Sequence, residues 1–198
     1  MIEETAGGPA ACSRRSNPEG SLAVTGYSMD AEWLEADGLG GFASGTVGLV
    51  RTRRYHALLA ASSTPPTGRF ALVGGLDATV QTPAGSFALS SQRYSGGVTQ
   101  PDGGTRIVSF EPEPWPRWLF RLEDGTIVSQ ELFVVRDRPL TALRWRMEQP
   151  GPGSSGPRRL VVHPFLSGRD IHALHFENAA FRFTAQVRGP RVTFTPYE

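Results

Sequence analysis

The sequence predicts an all-β, antiparallel β-sandwich, and three observations carry that reading. Short runs of alternating apolar and polar residues recur along the chain, separated by turn residues at the roughly 8–12-residue spacing of sandwiches and barrels. Nowhere do apolar residues return at i, i+3, i+4 and i+7 over a helix-length window without a Gly or Pro intervening. The 23 glycines and 16 prolines act as punctuation between strands.

The elements follow in order. Residues 1–28 read as a disordered leader, rich in Ser, Gly and Pro, with Pro9 and Pro18 and without the apolar core of a signal peptide. From residue 29 to 198 one sandwich domain is expected, with its C-terminal end falling within or just after the sandwich. Arg69–Val73 and Asp77–Gln81 are two short strand candidates on either side of Gly74-Gly75. Trp118–Leu122 and Thr126–Val135 flank Asp124-Gly125, a pair whose residues both accept positive φ and so favour a tight hairpin. Further strands are predicted over 141–148, 159–165, 180–187 and 191–195, with the Pro/Gly/Ser-rich segment 149–157 as a surface loop.

A chain of 198 residues is enough for one domain that buries about two-thirds of its unfolded surface. With a net charge of +1 no global field recruits nucleic acid. All 20 basic residues are arginine, a usage that together with abundant Gly, Pro and Ala reflects coding bias more than a binding surface. Cys12, the single cysteine, cannot form an internal disulfide, and no run approaches the ~20 apolar residues of a membrane helix. The expectation is a cytoplasmic protein with no membrane partner.

The densest chemistry lies early. Gly38-Leu39-Gly40-Gly41-Phe42-Ala43 has the spacing of a dinucleotide fingerprint, but that motif needs a buried strand before it and a helix after it. Half of the preceding Glu32–Asp37 is acidic, and glycines with β-branched residues follow, so a structural glycine loop is the better reading. Next come Arg53, Arg54, Tyr55 and His56. Read as a strand, Thr52–Leu59 puts Arg54 and His56 on one face and Arg53 and Tyr55 on the other. Two readings stay open: an edge strand whose arginines pair with Glu32, Glu35 or Asp37, or a polar ligand surface.

A second polar run holds Arg169, Asp170, His172, His175, Glu177 and Asn178. The histidines invite a metal reading, but on a strand they fall on opposite faces and no H-E-x-x-H pattern exists, so no metal site is predicted. Trp115 and Trp118, in a proline-stiffened stretch, either stack on sugar rings or cap the core. Glycoside hydrolysis needs two carboxyl groups about 5–9.5 Å apart. Nothing singles out Glu35 and Asp37 from ordinary loop acids, so no catalytic pair is named.

In order and spacing, several runs resemble the N-terminal domain of bacterial and archaeal glycogen debranching enzymes (amylo-α-1,6-glucosidases). They are Glu32-Trp33-Leu34, Gly38–Thr46, Thr52–Leu59, Pro65-Pro66-x-Gly68-Arg69, Pro114-Trp115-Pro116, Pro164–Asp170 with His172, and His175-x-Glu177-Asn178. The similarity covers about Asp30 to the C-terminus. Ala57 stands where the family pattern has glycine, and Ile171 where it has an aromatic.

The resemblance implies a large, supersandwich-like β domain that precedes an α/α-toroid catalytic domain. That toroid, which carries the catalytic carboxylates and hydrolyses α-1,6-glucosidic branch points in glycogen catabolism, is not recognisable in these residues. The chain alone is therefore expected to be inactive and to need no cofactor. Its expected partners are the toroid, in cis in the family, and branched α-glucan. A free-standing glucan-binding module and a truncated product without independent function remain alternatives. Arg53, Arg54, Tyr55 and His56 are expected to converge with Arg169, Asp170 and His172 as a substrate-binding or domain-docking site, with Arg53 or Arg54 paired to Asp170.

Overall fold

The computed structural model describes residues 26–152, 155–174 and 176–197, and the strands follow the alternation in the sequence. In chain order they are β1 (Glu32–Ala36), β2 (Phe42–Thr46), β3 (Ala57–Thr64), β4 (Thr67–Thr82), β5 (Gly85–Ala88), β6 (Ser91–Arg93) and β7 (Thr99–Asp102). There follow β8 (Ile107–Glu111), β9 (Arg117–Arg121), β10 (Ile127–Val134), β11 (Thr141–Gln149), β12 (Arg159–Asp170), β13 (Ala185–Arg188) and β14 (Arg191–Phe194). All pairings are antiparallel. The larger sheet runs β1-β2-β3-β4-β12, with β5 also on β4; the smaller runs β11-β10-β9-β8. β6-β7 and β13-β14 are separate two-stranded ribbons.

The two sheets share one core. Trp33, Ala43, Ala78 and Val80 of the larger sheet pack with Phe110, Trp118, Phe120, Val128 and Leu132 of the smaller. Trp118 is its anchor. Its ring lies 5.5 Å from Trp33 and 5.1 Å from Phe110, and its indole N–H donates to the Val47 carbonyl at 2.9 Å. That bond removes the main objection to burying a tryptophan. Burial of each such side chain contributes about 1.5–3 kcal/mol.

A second cluster is smaller: Ala57, Ala60, Ala71 and Ile171, with Phe42 against it. Phe42 and Ala43 are neighbours on β2 and so point to opposite faces. The second cluster therefore lies on the outer face of the larger sheet, away from the main core.

Four expectations need correction. Gly74-Gly75 does not separate two strands, because β4 runs through it for 16 residues. The glycines make room: a Cβ at Gly74 would lie 3.1 Å from Arg51 Nη1, and one at Gly75 3.2 Å from Arg51 Nε. Phe165 covers the same guanidinium at 5.2 Å. Thr52–His56 is not strand, since His56 N–H donates to the Arg53 carbonyl at 3.1 Å and closes a turn before β3. The strand expected over 159–165 continues to Asp170, and the one expected over 180–187 shrinks to β13. Most of the leader, residues 1–25, lies outside the described residues; Tyr27, within the expected leader, packs edge-on against Phe110 at 5.5 Å.

Candidate functional site

The glycine loop is closed by Asp37. Its carboxylate, almost fully buried, accepts the amides of Leu39 at 2.7 Å and Gly41 at 2.9 Å. Asp37 is thus a structural turn residue whose Oδ1 holds the loop's amides. Gly40 has φ +97°, and a Cβ there would fall on the Pro66 backbone. The glycine motif and the Pro65-Pro66 motif are therefore in contact, the loop between β1 and β2 lying on the turn between β3 and β4. A strand, not a helix, follows this loop, so it offers no helix N-terminus to a pyrophosphate.

Beside it, the alternation of β1 and β2 turns Glu32, Leu34, Phe42 and Ser44 outward in the register Leu34 opposite Ser44 and Ala36 opposite Phe42. With Tyr55 and His56 these residues line a shallow groove. Arg53 forms an ion pair with Glu32, which is one of the two readings the sequence left open. The Arg53 guanidinium is the first cause holding the Glu32 carboxyl below the usual carboxylate value.

His56 is buried beneath this pair, 5% exposed. Its Nδ1 accepts the Thr52 amide at 3.2 Å, so the ring proton sits on Nε2, which faces Glu32 at 3.3 Å. Burial lowers the imidazole pKa, and the nearby Glu32 charge opposes that shift without overcoming it. His56 is neutral at physiological pH.

The second polar run reaches the same place from 115 residues away. β12 ends at Asp170, and the chain turns down through Ile171, 2% exposed, which plugs into the alanine cluster. Asp170 caps this turn by accepting the His172 amide at 2.8 Å. Arg54 Nη1 donates to the His172 carbonyl at 3.0 Å, and Arg169 donates to the Arg54 carbonyl. The Tyr55 hydroxyl lies 3.4 Å from His172 Nδ1, with the two rings edge to face at 5.8 Å and Arg54 stacked on Tyr55 at 5.1 Å.

Arg54, Tyr55, Arg169 and His172 are thus brought into direct contact, while Arg53 and His56 meet Glu32 at the neighbouring groove. The expected pairing of Arg53 or Arg54 with Asp170 does not form. Arg53 goes to Glu32 and Arg54 to a carbonyl, because Asp170 is used within its own turn. Glu32 is the residue the sequence reading left out of the site. Its signal was the two-residue alternation of β1, which puts it beside Leu34 on the outer face.

Ala57 and Ile171, the two departures from the family pattern, share one cluster under this rim. Among the described residues no three His, Cys, Asp or Glu side chains are grouped to hold a metal ion; His175 lies outside the described residues. Trp118 belongs to the core, and Trp115 rests half-buried on Phe133 at 5.5 Å.

An antiparallel sandwich with a polar, aromatic rim on the outer face of one sheet defines an all-β domain in which directional side chains are held above a small apolar floor. The particular family follows from comparison: the model of the glycogen debranching enzyme N-terminal domain matches residues 31–198, and the chain belongs to that family. Neither the curated proteins nor the solved structures compared with it give a match. Among the described residues no helix is long and apolar enough to cross a membrane.

Proposed function

We propose that this domain supports hydrolysis of α-1,6-glucosidic branch points in glycogen catabolism without carrying the catalytic groups. In this reading it docks an α/α-toroid catalytic domain and contacts branched α-glucan through the outer rim, in the cytoplasm. The catalytic carboxylates belong to the toroid. The observation that supports the reading is the meeting of Arg54 and Tyr55 with Arg169 and His172 above the outer face of the larger sheet, in a chain of the debranching-enzyme family. Tyr55 is 37% exposed, so the residue is open to a ligand in the folded chain. A tyrosine hydroxyl, an imidazole and an ion pair bordered by Leu34 and Phe42 suit a sugar, which has hydroxyls on its rim and C–H groups on its faces.

Co-sedimentation of the 198-residue chain with glycogen tests the glucan contact. Retention that falls in Tyr55→Phe and His172→Ala supports it, and retention unchanged in both overturns it. Docking is tested by mixing the chain with a separately made toroid. Limit-dextrin hydrolysis that appears only in the mixture supports the reading. Hydrolysis by the chain alone would contradict it.

A further inference from the structure

Arg169 differs in what it binds from the six arginines that form ion pairs. Arg53, Arg93, Arg106, Arg117, Arg144 and Arg146 all lie against carboxylates. Arg169 spends its donors on main-chain carbonyls. Nη1 donates to Ile171 and Ala173 at 3.1 Å each, with a longer contact to Asp170 at 3.4 Å, and Nη2 donates to Arg54. The planar fork of a guanidinium can serve several acceptors in one plane; an ammonium on a flexible stem cannot hold them in the same geometry. Arg54 returns the bond by donating to the His172 carbonyl at 3.0 Å, so the two segments are laced in both directions.

We infer that Arg169 is the positioning residue of the Tyr55–His172 pair, and that it fixes the pair before any ligand arrives. His172 sits in a turn that follows the end of β12, and Tyr55 sits in a turn that precedes β3. Among the described residues, no strand pairing spans the two turns themselves. Arg169 is half-buried between them and ties the carbonyls flanking His172 to the carbonyl preceding Tyr55. The Tyr55 hydroxyl lies 3.4 Å from His172 Nδ1; in the tautomer in which that hydroxyl donates, the exposed imidazole keeps its proton on Nε2 as a donor. The pair thereby offers one oriented N–H donor beside an aromatic ring, a combination that recognises a hydroxyl or carbonyl oxygen. Its use for glucan rests on the proposed function; its geometry does not, and the test is made without ligand.

The experiment is proton NMR on the full chain, reading the cross-peak between the Tyr55 and His172 rings. Amide signals of β9 and β10 report whether the sandwich is intact. The wild type is expected to show the cross-peak. Arg169→Gln is expected to lose it with the β9–β10 signals unchanged, and Arg169→Lys to lose it as well, because the cation is kept while the fork is gone. A cross-peak that persists in Arg169→Gln, or wild-type behaviour of Arg169→Lys, overturns the inference. Should Arg169→Gln fail to fold, Arg54→Ala removes only the return bond to His172 and the stacking on Tyr55. A weakened cross-peak there supports the lacing, and an unchanged one overturns it. Glycogen retention is scored separately, so a lost cross-peak with unchanged retention refutes the glucan contact at this pair and leaves the positioning role standing.

Discussion

The two faces of the larger sheet are built by different physics. Its inner face is covered by large rings and branched chains around Trp118 and Phe120, both almost fully buried. Its outer face beneath the rim rests on three alanines and one isoleucine. Apolar burial is non-directional and scales with area, so the inner face supplies stability. Hydrogen bonds to carbonyls and rings are directional, so the outer face supplies geometry. Stability and site are thereby separated across one sheet, and a substitution should reveal its side by whether it changes unfolding or orientation.

Trp118→Ala is the hardest test of the inner face. It opens a cavity and leaves the Val47 carbonyl without its donor, so a loss of about 3–5 kcal/mol is expected in urea unfolding. A loss comparable to that of a surface substitution would break the comparison. Ile171→Ala on the outer side removes fewer contacts and should cost about 2 kcal/mol, the low end for buried aliphatics. Unlike Trp118→Ala, it should also displace His172, which the Tyr55–His172 cross-peak reads.

Asp37→Ala belongs to neither face. Stripping the carboxylate leaves the Leu39 and Gly41 amides short of an acceptor, with an expected loss of about 1–3 kcal/mol.

A pH series then separates the rim histidine from the carboxylates. Folding lowers the His56 pKa from its ordinary 6.5, so the unfolded chain binds the proton more readily. Its contribution is full above pH 6.5, declines as pH falls through that value, and levels off below the folded one. The Glu32 pKa is lowered as well, by the hydrogen bond from Arg53, and its contribution fades only below its ordinary 4.5. His56→Gln should remove the upper step and keep the lower one; a wild-type profile flat between about pH 7.5 and 5.5 would refute the assignment. The smallest effect on stability is expected for Tyr55→Phe, within about 0.5 kcal/mol, because the ring is exposed and only its hydroxyl is lost. Under the proposed function, its glycogen retention should nevertheless fall.

Residue order alone was enough for the fold class, the 124–125 hairpin and the location of both polar runs. Those features depend on local rules: alternation, turn residues and the lack of a helical period. The same rules misjudged Gly74-Gly75. A glycine pair looks identical in sequence whether it ends a strand or makes space for another side chain, and here the side chain is Arg51, from outside the strand. They also extended a strand through Arg53–His56, where the alternation is real but a 3.1 Å turn bond takes the backbone elsewhere.

The sequence by itself determined where the two polar runs lie and, through the rare runs shared with its family, which family the chain belongs to. Only the tertiary structure decided their partners. Glu32 takes Arg53, Asp170 keeps to its own turn, and Arg169 crosses 115 residues to the Arg54 carbonyl. The physical reason is that a charged side chain goes to whichever acceptor folding brings within about 3 Å, and that distance is set by strand register, which short-range sequence patterns do not contain.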